Sequence, residues 1–234
     1  MRMRYKPYAR PELAAWPNFI DSPQKMRGQW ASSFANPSFP LRIELGCGKG
    51  GFLAGVSLRE PQYNYLGIDI KSEVLVVAKR TIEQSFLSQE RPIFNAAITS
   101  WNIEKIPSIL SPQDHVERIY INFCNPWYKS GHAKHRLTHP RQLVSYRDFL
   151  ADGCEIFFKT DDDYLFNDSL RYFEYTGFSL QQIWRNLHAE EPSWNIRTEH
   201  EQMFAAQGIP IKACIAKKQP ATLDREAISR LKNL

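Results

Sequence analysis

Two short stretches hold residues whose types and spacing can support chemistry. The first is Ile43-Glu44-Leu45-Gly46-Cys47-Gly48-Lys49-Gly50-Gly51-Phe52. Gly46, Gly48 and Gly51 satisfy the dinucleotide fingerprint G-x-G-x-x-G. Glu44, Gly46, Gly48 and Gly50 equally satisfy E-x-G-x-G-x-G, a loop suited to a nucleoside carrying a sulfonium. Glu44 separates the two readings. A carboxylate at the end of a strand repels a pyrophosphate but suits a ligand bearing an ammonium and a sulfonium, and the glycines let the backbone approach it closely. Asp69, 23 residues after Gly46, ends the next strand-like run and can take both ribose hydroxyls. Asn95-Ala96 follows, where a side-chain amide can pair with an adenine edge. The implied ligand is S-adenosylmethionine.

The second stretch is Asn125-Pro126-Trp127-Tyr128-Lys129, placed after the strongest strand signal in the chain, residues 116–123. Pro126 restricts Asn125 to an extended conformation, and Trp127 and Tyr128 offer ring faces either to a base or to the core. Between 129 and 147 stand Lys129, Lys134, Arg136, Arg141 and Arg147 with His132, His135 and His139, and no acidic residue. Such a run reads as a contact for phosphates, or as a solvated face. The histidines are loosely spaced and no carboxylate joins them, so no metal site is expected. Lys159-Thr160-Asp161-Asp162-Asp163 follows a fifth strand, and Thr198-Glu199-His200-Glu201 has the form of a helix capping box.

These residues require elements to position them. The pattern predicts strands at 41–45, 63–70, 92–98, 116–123, 154–159, 178–187 and 209–216. It predicts helices at 51–58, 72–87 (with Ser72 as N-cap), 140–150, 164–176 and 198–207, the last two closed by Gly177 and Gly208. Alternating strand and helix implies an α/β fold: a Rossmann-like three-layer sandwich on a mostly parallel seven-stranded sheet with an antiparallel last strand. Ligands of such sheets bind at the carboxyl ends of the strands. Residues 1–40 differ from the rest. They carry Arg2, Arg4, Lys6, Arg10, Lys25 and Arg27 against Glu12 and Asp21, and Pro7, Pro11, Pro17, Pro23 and Pro37 break any long helix. They read as a basic extension with one short helix at 23–34, leaving 41–234 as a single domain.

The chain has 234 residues, 43% hydrophobic and 24% charged, with a formal charge of +5. These values exclude wholesale disorder and fit one well-formed core. No apolar run approaches the ~20 residues of a membrane span, so no membrane association is expected. Cys47, Cys124, Cys154 and Cys214 lack C-x-x-C spacing and read as reduced thiols of a cytoplasmic protein.

The combination IELGCGKGGF, YLGIDI, NFCNPWYK, H-x-K-x-R-L-T-H-P at 132–140, FFKTD and TEHE at 198–201 resembles the tRNA (guanine-N7)-methyltransferases over nearly the whole chain. The resemblance implies a class I methyltransferase fold and methyl transfer from S-adenosylmethionine to N7 of a guanine in the tRNA variable loop. It implies a cofactor site of Glu44, Gly46, Gly48, Gly50, Asp69, Asn95, Ala96 and Asn125. It also implies tRNA contacts at Lys129, His132, Arg136, Asp161, Thr198 and Glu201, with Asn125, Asp161 and Glu201 nearest the chemistry, in a monomer or homodimer. The family usually carries Asp and Pro where this chain has Asn125 and Tyr128, and basic residues where it has Ser130 and Gly131. Two other readings rest on those departures. Asn-Pro-Trp-Tyr also resembles the Asn-Pro-Pro-Tyr of nucleic-acid amino-group methyltransferases, and the altered loop is compatible with a tRNA-binding relative of weak turnover.

Overall fold

A computed structural model of the chain describes residues 4–220; Arg2 and the tail's Arg225, Arg230 and Lys232 lie outside the described residues. The chain forms two compact units, Met1–Val116 and Glu117–Leu234. The first contains α1 (Ala9–Ala14), β1 (Leu41–Leu45), α2 (Gly51–Arg59), β2 (Asn64–Asp69), α3 (Ser72–Leu87) and β3 (Ala96–Ser100). The second contains β4 (Val116–Asn122, starting at the boundary), α4 (Pro140–Phe149), β5 (Leu150–Thr160), α5 (Asp163–Tyr175), β6 (Phe178–Trp184), α6 (Glu199–Ala206) and β7 (Lys212–Lys218). The seven strands run in the order β3-β2-β1-β4-β5-β7-β6. β1, β2 and β3 pair in parallel, whereas β7 runs antiparallel to both β5 and β6.

In the first unit every residue of β1 is buried, as a parallel strand covered on both faces requires. Arg42 tolerates this because its guanidinium lies 3.3 Å from the centre of the Tyr63 ring and 2.5 Å from Glu60. On α3 the buried residues Leu75, Val76, Ala78, Ile82 and Phe86 recur at helical spacing. Lys71, not Ser72, occupies the cap position, because Ser72 already has helical geometry. The leader lies against this unit. Asn18 and Ile20 exchange backbone hydrogen bonds with Ile98, which blunts the outer edge of β3. Buried Trp30 donates its indole N–H to the Ile109 carbonyl at 2.6 Å, and Asp114 accepts the backbone N–H of both Gly28 and Trp30. The helix expected at 23–34 is instead two 3₁₀ turns, Pro23–Met26 and Trp30–Ser33, separated at Gly28 by a left-handed residue (φ +82°). Among the leader's described residues the α-helix is α1, packed on α3 and tied to it by Glu12 with Lys79 and Arg80.

In the second unit Gly177 (φ +77°) and Gly208 (φ +73°) follow α5 and α6 in the left-handed conformation expected at helix ends. β5 starts earlier than its apolar run suggests, because Leu150–Gly153 extends directly out of α4. In the first unit β3 is also displaced, to Ala96–Ser100 from the expected 92–98.

Gly50 precedes α2 at φ +78°, and a Cβ there would stand 2.9 Å from the Cα of Ala78 on α3. A Cβ on Gly51 would meet nothing within 4 Å. Gly50→Ala therefore combines left-handed strain with overpacking and should cost about 2–4 kcal/mol, whereas Gly51→Ala should be nearly neutral. Urea unfolding of the two variants side by side checks this.

Candidate active site

The carboxyl ends of β1 and β2 build the first unit's site. Gly46, Gly48 and Gly50 have φ of +79°, +53° and +78°, an alternation that a chain with side chains adopts only under strain. The turn is held by Gly46 and Cys47 N–H groups donating to the Ile68 carbonyl and by Gly50 N–H donating to Cys47. A Cβ on Gly48 would meet only the Gly46 carbonyl, at 3.9 Å, so the backbone surface of the loop is open to a ligand. Asp69 Oδ2 accepts the Gly48 N–H at 3.1 Å, and Oδ1 accepts the Lys71 N–H at 3.2 Å. Burial holds the Asp69 carboxyl above its ordinary range against those donors. Glu44, only 2% exposed, lies close enough for its charge to act on Cys47. Burial first, then the fields of Asp69 and Glu44, push the Cys47 thiol well up. Two carboxylates around an open glycine backbone make a cation-favouring cradle, which fits S-adenosylmethionine and not a pyrophosphate.

Asn95 and Ala96 are not part of that cradle. β3 begins at Ala96, so both residues sit at its amino end, opposite the end that carries Asp69 on the parallel neighbour β2. The Asn95 amide is buried and donates to the Ser57 and Tyr63 carbonyls. The residues at the carboxyl end of β3 are Ser100, Trp101 and Asn102; Trp101 N–H bonds the Asp69 carbonyl, and Asn102 caps the following turn. The weak apolar signal of residues 92–98 puts the strand about four residues early.

In the second unit β4 ends in a strained loop. Phe123 (φ +53°) and Trp127 (φ +46°) are both left-handed, unfavourable for large side chains and tolerated only where the surroundings over-determine them. Phe123 N–H donates to the Lys159 carbonyl at 2.9 Å. Asn125 Oδ1 accepts the Trp127 N–H at 3.0 Å. Arg136 donates Nε–H to the Pro126 carbonyl at 2.7 Å and Nη1–H to Asp168 on α5 at 2.8 Å. Arg136 is thus a buried brace of the loop and not a phosphate contact. Arg147 is likewise spent on the carbonyls of Thr176, Gly177 and Gln219. The basic run thins to the exposed Lys129, His132, Lys134 and Arg141. Trp127 is flanked by His132 at 5.8 Å and His135 at 5.3 Å, while Tyr128 is exposed and donates its hydroxyl to Asp162 at 2.6 Å. Asp161 beside it is half-buried, and burial raises its carboxyl.

The TEHE segment is built on a buried ion pair. Lys159, at the end of β5, and Glu201, on α6, are both fully buried, with Nζ 2.6 Å from Oε2. The ammonium also donates to Asn195 Oδ1 (2.8 Å) and the Ile196 carbonyl (3.0 Å). Glu201 Oε1 accepts from Asn195 and bonds His188, and Thr198 and Glu201 complete the capping box. Burial pushes the Glu201 carboxyl up, but Lys159, Asn195 and His188 outweigh it and hold it below the usual range. His188, Glu191 and Glu201 bring possible metal ligands within 4.8 Å, yet Lys159, Asn195 and Arg197 already supply these carboxylates with donors. In the sequence Lys159 reads as part of a polar rim. A lysine closing the apolar run Ile156-Phe157-Phe158 is the available signal that it is buried and paired.

Two outcomes follow from this geometry. Lys159→Met strands a buried carboxylate and should cost about 3–5 kcal/mol, with the Lys159→Met/Glu201→Met double variant losing less than the sum. A double-mutant cycle in urea checks it, and strict additivity would remove the pairing. His139, the α4 cap whose Nδ1 accepts the Arg141 N–H, is driven down to about 4 by burial and then by Arg141 and Arg136. Its folded value lies below the unfolded one, so the unfolded chain binds the extra proton between about pH 4 and 6.5. Stability should fall across that window as pH drops, by up to about 3 kcal/mol, and His139→Asn should flatten the profile there while keeping a cap.

A protein-family profile described as putative methyltransferase matches residues 38–214. Among solved structures, the antibiotic-resistance methyltransferase Kmr superposes with a TM-score of 0.54 at 17% identity, covering 78% of this chain and 88% of that one. The 16S rRNA methyltransferase KamB gives 0.55 at 12% identity, covering 77% and 88%. These two establish the fold. The tRNA (guanine-N(7)-)-methyltransferase of Clostridium perfringens (strain SM101 / Type A) is 52% identical over 93% of this chain and 100% of its own length. That of Ruminiclostridium cellulolyticum is 50% identical over 93% and 92%. A profile match over residues 38–214 and about half of all positions shared with full-length relatives show that the chain belongs to the tRNA (guanine-N7)-methyltransferase family.

Proposed function

We propose that this chain methylates N7 of a guanine in tRNA, with the variable-loop guanine as target and S-adenosylmethionine as donor. The observation that carries the reading is the 52% identity to a tRNA (guanine-N(7)-)-methyltransferase across that relative's entire length. The bound donor supplies an electrophilic methyl group. Guanine N7 has a lone pair and no proton, so in-line attack needs no general base, and catalysis rests on alignment and electrostatics. Glu44, Asp69 and the Gly46–Gly50 backbone hold the donor, with Asn102 at the β3 end in place of Asn95 and Ala96. Asp161 favours the positive charge that develops on the methylated ring. Glu201 is fully buried and acts as a positioning residue that fixes Thr198 and α6. Exposed Lys129 and His132 meet the RNA, and the guanine leaves its stack to react. Four unbridged cysteines support a reducing compartment, the cytoplasm. Among the described residues no helix is long and apolar enough to cross a membrane.

Amino-group methylation is disfavoured by a specific observation. Its chemistry needs the Asn amide oxygen and the Pro carbonyl as acceptors for an exocyclic amine. Here Asn125 Oδ1 already accepts from Trp127 and the Pro126 carbonyl from Arg136, which leaves each only its second lone pair for such an amine. Labelled transfer to unmodified tRNA, followed by borohydride and aniline cleavage, decides between the products, because only N7-methylguanosine renders the strand cleavable. Asp161→Asn should lower turnover about a hundredfold and leave S-adenosylmethionine affinity unchanged. Equal loss of both would assign Asp161 to the donor instead.

A further inference from the structure

We propose that Tyr128 is the platform on which the target purine stacks, and that its ring binds the methylated base better than the neutral one; this rests on the N7-methylation reading above. Tyr128 is 70% exposed, on the loop that follows β4. It is nevertheless fixed. Its hydroxyl donates to Asp162 Oδ2 at 2.6 Å, and Asp162 is itself immobilised as the N-cap of α5, with Oδ1 accepting the Leu165 N–H at 2.6 Å. The preceding residue is locked left-handed, and the loop behind it is braced by Arg136 to α5. An aromatic ring held at its rim with its faces in solvent offers stacking area without an ordering cost. Trp127 does not compete for the role, because it is only partly exposed and its ring packs against His132 and His135.

The same contacts give the platform a preference. The hydrogen bond to Asp162, then partial burial and the fields of Asp162 and Asp161, hold the Tyr128 phenol up at about 12, so it remains a neutral donor. Its ring face carries the negative end of the aromatic quadrupole. Methylation at N7 turns the guanine ring into a cation, which that face and the Asp161 carboxylate attract more strongly than the neutral base. An interaction that grows as the methyl arrives lowers the barrier rather than merely tightening binding.

Steady-state transfer to a tRNA transcript tests this. Tyr128→Ala should lose about ten- to a hundredfold in kcat/KM. Tyr128→Phe, which keeps the ring and loses its anchor, should lose less than tenfold. Both should retain S-adenosylmethionine affinity and melting temperature. At pH 6, where the methylated base is cationic, wild type should bind 7-methylguanosine monophosphate about two- to fivefold more tightly than GMP. Tyr128→Ala should lose that preference. A folded Tyr128→Ala with wild-type kcat/KM, or one that keeps the preference, overturns the platform and leaves N7 methylation standing. A wild-type protein that transfers no methyl group to N7 overturns both.

Discussion

Lys159 puts an ammonium in the fully buried end of β5, and much of the second unit's site is arranged around the consequence. An isolated buried charge costs several kcal/mol. Lys159 is compensated by Glu201, Asn195 and the Ile196 carbonyl, which come from α6 and the segment before it. The ammonium therefore ties both α6 and the segment before it to the end of β5. The Lys159 backbone carbonyl also accepts the Phe123 N–H, so the same residue fixes the point where β4 gives way to the Asn125-Pro126-Trp127-Tyr128 loop. Thr198, Asp161 and the loop acquire fixed positions because one charge must be satisfied.

The loop itself stores conformational strain. Two large residues are left-handed within five positions, and each such residue costs on the order of 1–3 kcal/mol unless its surroundings compensate. Arg136 is that compensation: it grips the Pro126 carbonyl while anchored to Asp168, which also pairs with Arg171. A cation within a basic run has been turned inward to hold the backbone, and with it the Tyr128 ring and the exposed Asn125.

The first unit solves a different problem. It places two carboxylates beside a glycine loop whose backbone is left open. Left-handed glycines supply the surface, and Glu44 and Asp69 supply the charge. Burial lifts the Asp69 carboxyl, and the Gly48 and Lys71 N–H groups pull in the opposite direction. The leader contributes by covering the β3 edge and by seating Trp30 against Asp114, so this basic segment is also part of the unit's packing.

Much of this was legible in the sequence because it depends on local rules. Alternating strand and helix signals set the fold class, since parallel strands need crossovers. Glycine spacing marked the left-handed turn that Asp69 meets, since only glycine enters such turns without cost. Thr198 and Glu201 announced a helix start, since a capping box closes within four residues. What the sequence could not decide was where side chains point and which charges meet. Asn95 and Ala96 fall at the other end of β3 because a weakly patterned strand has no sharp boundary. Arg136 and Arg147 read as surface cations, and Lys159 as rim, because a charge reveals its partner only after folding brings together residues 29 to 42 positions apart. Local backbone chemistry is written along the chain, whereas burial and ion pairing are properties of the packed structure.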